Sequence, residues 1–313
     1  MQVSVVLCTH TVDRYDYLTD AAGSVLSGTY EEVELVCVSD GNDAVYERMR
    51  TDYGDDDRVV TTRLDENSGL LTARNHGADV ATGDVVAFLD DDALACERWL
   101  ELLVDGYRAH DAIAVGGRMT PRWEAPDGEP AVLPAEFYWL VGVTHRGFGP
   151  DGNPDAAGWV RNTMGSNISF RAEVFDELGG FDTDIGGRKG DNHLQGGESE
   201  LCARMRAVYD ERVYYLPEAT VEHRIFDYRT EPDWLLKRAF WQGYSKRGME
   251  RFVPESTGDE DEFLGRLLAE FAPDRLRGLA REPSTAAALQ FLFLFLFTGA
   301  VGAGYGYGIL KWG

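Results

Sequence analysis

Three adjacent carboxylates, Asp90, Asp91 and Asp92, end an apolar run, Val85-Val86-Ala87-Phe88-Leu89, that follows Gly83. The run has strand length and no alternation, the pattern of a strand buried on both faces of a parallel sheet. Carboxylates so close repel one another and require compensation from a cation, from hydrogen-bond donors or from water. A hard divalent ion with oxygen ligands meets that requirement, above all one that also holds phosphate oxygens. In a very acidic chain the triplet also reads as a solvated turn, so the neighbouring segments must decide.

Those segments alternate strand and helix. Val3–Cys8 reads as a strand, Tyr17–Leu26 as a helix, Val33–Val38 as a strand closed by Ser39-Asp40-Gly41-Asn42, and Arg58–Thr62 as a short third strand. Leu70–Ala81 has helical spacing after Asn67-Ser68-Gly69, and a helix from about Glu97 to Ala109 follows the central strand. Such alternation predicts an open, doubly wound α/β sheet. Ligands bind beyond the carboxyl ends of the strands in these sheets, which puts Thr9, Asp40 and Asp90–Asp92 at one edge. No GxGxxG follows the first strand, against a dinucleotide-binding dehydrogenase.

A net charge of −24 excludes nucleic acid as a partner. Four of the 30 basic residues are lysine (Lys189, Lys237, Lys246, Lys311), and this arginine-rich acidity resembles proteins of salt-accumulating haloarchaea. Cys8, Cys37, Cys96 and Cys202 form no CxxC; Cys8 and Cys37 lie in apolar strands, which predicts buried free thiols and a reducing compartment. With a strand opening at Val3, no signal peptide is expected.

In this order the chain resembles glycosyltransferase family 2: VSVVLCTH at 3–10, SVLSGTYEEVELVCVSDGN at 24–42, NSGLLTARNHGAD at 67–79, FLDDDA at 88–93, SNISFRAEVFDELGGFD at 166–182 and GGESELCAR at 196–204. The resemblance implies the GT-A fold, here a mixed sheet flanked by helices, and an inverting sugar transfer from a nucleotide donor. It implies a donor site of Thr9, Asp40, Gly69, Arg74, Asn75, Asp90 and Asp91. Asp40 would contact the base or ribose, and Arg74 would offer a fork to phosphate oxygens. Asp40 also reads as a turn former before Gly41, and Arg74 as a surface arginine. The family's DxD falls on Asp90 and Asp92, which with His223 would hold Mg2+ or Mn2+. Asp91 is expected to point elsewhere, because side chains alternate in an extended segment.

Aligned on Glu200-Leu201, the family's acidic pair puts Glu198 at the catalytic base and leaves Gly197 where the first acid belongs. A carboxylate suffices for an alcohol that loses its proton in the transition state; the alternative is an acidic first turn favoured by the helix dipole. Residues 117–165 are irregular and rich in Gly, Pro and aromatic residues, which suggests a lid or specificity loop. Arg161, Arg171, Arg188 and Lys189 are further cations suited to an acidic sugar or a lipid phosphate.

Thr285–Leu310 carries no charge, includes FLFLFLF at 291–297 and exceeds the roughly 20 residues needed to cross a bilayer. Phe263–Arg281 shows an amphipathic helical stripe, and Glu255–Glu262 an acidic linker. The helix Trp234–Arg247 lacks QxxRW, and one apolar segment builds no channel, so single-sugar addition is expected, with Trp241 and Arg247 on the acceptor side. The organisation expected is a nucleotide-sugar half (1–116), an acceptor half (117–250), a linker with amphipathic helix (251–284) and a membrane segment (285–310). Together these features resemble haloarchaeal hexuronic-acid transferases that extend dolichyl-phosphate-linked glycans for surface-layer N-glycosylation. The resemblance implies transfer of glucuronic acid from UDP-glucuronate, a lipid-linked glycan acceptor, and a cell-membrane location with the catalytic part on the cytoplasmic side. The alternatives are hexose transfer to another glycolipid or polysaccharide, and a non-catalytic membrane-anchored sugar-binding protein.

Overall fold

Apolar runs bounded by Gly, Asp and Asn form the first four strands, β1 (Val3–Thr9), β2 (Val33–Asp40), β3 (Val59–Leu64) and β4 (Val85–Asp90). Between them lie α1 (Tyr15–Leu26), α2 (Asp43–Tyr53) and α3 (Leu70–Val80). The computed structural model describes residues 1–185, 194–252 and 259–312. Apolar spacing alone gives no expectation of α2. It forms because the Asn42 side chain accepts the Val45 N–H at 3.2 Å and because Val45 and Met49 bury one helical face.

After β4 come β5 (Ala93–Ala95), α4 (Trp99–His110), β6 (Ala114–Trp123), β7 (Gly158–Val160), β8 (Ile168–Arg171), α5 (Glu173–Leu178), α6 (Gly197–Tyr209) and β9 (Val213–Ile225). Among the described residues these strands form one nine-stranded mixed sheet, in the order β3-β2-β1-β4-β8-β6-β9-β5, with β7 on β9. The β3-β2-β1-β4 part is parallel, whereas β8 runs antiparallel to both β4 and β6. The 116/117 boundary therefore falls inside β6. Both faces are covered, as the unalternating strands require: Val5, Leu7, Cys37 and Leu89 pack with α1 and α4, while Val6, Val36, Val38 and Phe88 pack with Leu71 of α3 and Leu201 of α6. All four cysteines are free, and Cys8, Cys37 and Cys202 are buried.

The C-terminal part comprises α7 (Pro232–Phe252), α8 (Asp259–Arg266), α9 (Ala272–Arg281) and α10 (Thr285–Trp312). The stripe expected over 263–281 is helical throughout, with a π-helical turn, Leu267–Phe271, set into it just before Pro273, whose ring and missing N–H interrupt the regular ladder. Buried Leu267 and Phe271 fasten that turn to the core.

α10 is long and apolar enough to cross a membrane. It is not a free tail, however, because it runs beside α7 at very close range. A Cβ on Gly243 would lie 1.9 Å from the Val301 carbonyl oxygen, and one on Gly304 1.8 Å from that of Phe240. Leu294 and Phe297 are fully buried beneath it, whereas Leu292, Phe295, Leu296, Ile309 and Leu310 face outward. Its first turns are tied down through a wholly buried carboxylate, Glu136, which accepts from Arg146 Nη1 at 3.1 Å and Arg275 Nη2 at 2.6 Å; Arg275 also donates to Gln290.

Candidate active site

The parallel register brings Cys8 opposite Asp90 and Thr9 opposite Ser39, so the ends of β1, β2 and β4 share one edge. At that edge the acidic triplet diverges. Asp90 Oδ1 accepts from Arg74 Nη2 at 2.7 Å, on the side of α3. Asp91, buried, accepts from Thr9 Oγ1 at 2.6 Å and from Arg14 Nη1 at 2.8 Å. Asp92, also buried, accepts from Arg14 Nη2 at 2.6 Å and has Arg229 Nη2 at 3.5 Å. The chain then enters β5, which pairs with β9 so that Ala93 lies opposite His223. That pairing sets His223 Nε2 3.3 Å from Asp92 Oδ1, across 131 residues of sequence.

The compensation demanded by three carboxylates is thus supplied by guanidinium groups. Burial pushes the Asp91 carboxyl up to about 7, against the opposing pull of Arg14 and Thr9. Burial also disfavours the Asp92 anion, but His223, Arg14 and Arg229 outweigh it and hold this carboxyl below the usual range. Arg74, only 3% exposed, forks between Asp90 and Glu198, its Nη1 donating to Glu198 Oε1 at 2.7 Å. Burial works against its charge, yet Asp90 and Glu198 raise its pKa.

Glu198 sits in the first turn of α6 and faces the same cleft as the triplet. Two glycines explain its setting. A Cβ on Gly165 would lie 1.9 Å from Glu198 Oε1, so glycine makes room for the carboxylate. A Cβ on Gly197 would lie 2.4 Å from Leu71 Cδ1; the acid of the usual pair is absent where α6 presses on α3. Glu200 turns inward instead, ion-paired with Arg204.

The cleft has a volume of about 1690 Å³. Asp90, Asp91, Asp92, Arg74, Glu198 and His223 all line it. Other expected residues are placed differently. Both Asp40 oxygens accept backbone N–H groups, of Ser68 at 2.7 Å and Gly69 at 2.9 Å, which fixes the turn into α3 with Gly69 at φ 91°. The Asn75 amide faces away from the cleft and clamps the Phe181 backbone through both its oxygen and its nitrogen. Trp241 and Arg247 are a correction to the expected acceptor side: they fall on faces of α7 that do not line the cleft. Trp241 packs edge-on against Phe240 and Tyr244, and Arg247 donates to Glu250 at 3.1 Å beside Gly308. The cleft face of α7 is Trp234, Arg238, Gln242, Lys246 and Glu250, at intervals of four. That spacing is a helical stripe that turns about 40° at each step.

Arg14 and Arg229 had no comparable signal, beyond Thr11 capping a short turn over Val12–Arg14. Of the other cations, Arg161 lines the cleft and Arg171 pairs with Asp111 elsewhere. Arg188, Lys189 and most of the acidic linker lie outside the described residues. The irregular stretch 117–165 supplies Trp139, His145, Trp159 and Arg161 to the cleft.

Among the described residues no group of three or more His, Cys, Asp and Glu side chains forms a ready metal cage. Asp92 and His223 nonetheless suit a divalent ion. Their facing O and N atoms are 3.3 Å apart, close to the ~3 Å between adjacent ligands of an octahedral ion bound at ~2.1 Å. The guanidinium groups on Asp92 show that this corner accommodates positive charge.

The sheet order and the paired carboxylate corners around one cleft define a GT-A glycosyltransferase. Residues 4–179 match the model of glycosyl transferase family 2, and the chain belongs to that family. It is 48% identical over 293 residues, 93% of this chain and 91% of the relative, to the glucosyl-dolichyl phosphate glucuronosyltransferase of Haloferax volcanii. The fold is shared with a Pyrobaculum calidifontis mannosyltransferase solved with GDP-Man and Mn2+, at a TM-score of 0.63 and 17% identity over 100% of this chain and 88% of that one. GalNAc-T7, solved with UDP, GalNAc and Mn2+, superposes at 0.56 with 16% identity, over 85% of this chain and 54% of its own.

Proposed function

We propose that this enzyme moves glucuronic acid from UDP-glucuronate to a glycan carried on dolichyl phosphate, with inversion, for protein N-glycosylation. The observation that carries the proposal is the Arg74 fork, which holds Glu198 and Asp90 side by side in one cleft. The apolar helix α10 also lines that cleft, through Thr298, Val301, Gly302 and Tyr305. The likeness to the Haloferax volcanii enzyme supports the donor and acceptor.

In this mechanism Glu198 takes the proton of an acceptor hydroxyl as its oxygen attacks the anomeric carbon. The bond from that carbon to the diphosphate oxygen breaks on the opposite face, the new C–O bond forms inverted, and the proton leaves Glu198 for solvent. Arg74 aims Glu198 and keeps a positive charge beside both carboxylates. Thr9 and Arg14 hold Asp91, and Asp90 takes the ribose side of the donor. Asp92 and His223, with Asp90 nearby, would hold Mg2+ or Mn2+, which supplies Lewis-acid stabilisation of the departing diphosphate. We assign residues 1–116 to the donor, 117–250 to the acceptor and 285–312 to the membrane. The outward apolar residues of α10 touch the bilayer from the cytoplasmic side, where nucleotide sugars and free thiols coexist.

Incubation with UDP-glucuronate, Mn2+ or Mg2+ and a short dolichyl-phosphate-linked glucose tests this reading. One glucuronosyl residue is added, and chelation, Asp92→Ala or Glu198→Ala abolishes the addition. A wild-type enzyme that extends this acceptor only with UDP-hexoses would establish hexose transfer instead.

A further inference from the structure

The cleft face of α7 has no role in the chemistry above. Trp234, Arg238, Gln242, Lys246 and Glu250 line the cleft along the whole helix. This face adjoins the reacting groups at two points. Trp234 packs edge-on against Tyr228, whose neighbour Arg229 reaches His223 and Asp92. Gln242 Nε2 donates to Gln195 Oε1 at 2.8 Å, and Ser245 Oγ accepts the Gln195 N–H at 3.0 Å, three residues before Glu198. Beside the stripe, on the helix packed against α7, Thr298, Val301, Gly302 and Tyr305 of α10 also line the cleft, and the other side of α10 is exposed and apolar.

We infer that Arg238 and Lys246 form a binding site for the phosphate of the lipid-linked acceptor, between Glu198 and the apolar wall of α10. The inference rests on the lipid-acceptor reading above and names the part of the acceptor these residues take. The ligand must present three chemistries in sequence: a sugar hydroxyl at Glu198, an anion next to it, and a hydrocarbon chain beyond. The one cleft holds a complement to each: Glu198, the cations Arg238 and Lys246, and α10. Arg238 and Lys246 stand about 12 Å apart along the helix, with Gln242 between them, and their long side chains can approach one anion from either end. Glu250, the last residue of the stripe, is engaged by Arg247 at 3.1 Å and by the Tyr305 hydroxyl at 2.6 Å.

The test compares kcat/KM for dolichyl-phosphate-linked glucose and for an alkyl glucoside without phosphate. The wild-type enzyme prefers the phosphate-bearing acceptor. The R238Q/K246Q variant loses that preference by roughly tenfold or more, mostly through acceptor KM, as expected for lost charge-assisted contacts. The charge-retaining R238K/K246R variant recovers most of it. Equal losses on both acceptors, the same loss in R238K/K246R, or a wild-type enzyme indifferent to the phosphate would each overturn the inference. So would a rise in KM for UDP-glucuronate with acceptor preference intact, which would give these cations to the donor. If the wild-type enzyme extends neither acceptor, the acceptor reading falls, and this inference falls with it.

Discussion

Arg74 is the residue whose replacement should be most informative, because one guanidinium serves two carboxylates on different elements. Its Nη1 and Nη2 bond Glu198 and Asp90, each at 2.7 Å. Lysine keeps the charge but cannot fork, so in Arg74→Lys one contact is lost and Glu198 is no longer aimed. A displacement of about 1 Å at a catalytic group costs on the order of 10²-fold, and kcat should fall by about that factor with little change in donor KM. Arg74→Met removes the charge as well. A wholly buried pair broken in this way costs ~3–5 kcal/mol. The partner carboxylates are 24% and 29% exposed, which lowers the cost to about 2–3 kcal/mol and the melting temperature by about 4–10 °C. The decisive assay is a double-mutant cycle on kcat with Glu198→Gln, which alone should cost about 10²–10⁴-fold. If Arg74 acts by aiming Glu198, adding Arg74→Lys to Glu198→Gln lowers kcat by no more than about threefold. Losses that multiply would refute the reasoning.

Gly165→Ala puts a methyl group 1.9 Å from the Glu198 oxygen; turnover should fall about 10–100-fold while the melting temperature holds, and a shared loss of both would mean a folding defect. His145, whose Nδ1 is buried without a hydrogen-bond partner, has its pKa pushed down from 6.5 to about 3 by burial and by Lys246. The unfolded chain therefore binds the extra proton. The contribution is intact above pH 6.5 and is lost as pH falls toward 3, reaching about 2 kcal/mol at pH 5. Denaturant titrations at pH 7 and pH 5 should show this slope in the wild type and a flatter one in His145→Gln; parallel slopes would reject it. Removing α10 after Ser284 uncovers Phe137 and Tyr244 and deletes fully buried Leu294 and Phe297, each worth ~1.5–3 kcal/mol. The truncated chain should aggregate or melt far lower, whereas a truncation that stays monomeric at the same melting temperature would make α10 a mere anchor.

Local sequence determined β1 to β4 and helices α1, α3 and α4, though not α2 or β5, because burial on two sheet faces writes apolar runs and helices write a near-four-residue spacing. It also showed the acidic end of β4, the helix opening at Gly197 with its carboxylates, and the charge-free length of α10. Tertiary structure decided what neutralises the triplet. Arg14 comes from a turn 77 residues away, and His223 arrives by the β5–β9 pairing. Neither relation is periodic, so no local pattern could announce it. The missing acid at Gly197 became intelligible only once Leu71 was seen against it. On α7 the phase of the helix relative to α10 excluded Trp241 and Arg247 from the cleft and admitted Arg238 and Lys246. That phase is set by the Gly243 and Gly304 contacts, which are long-range packing and become visible only when two distant segments meet.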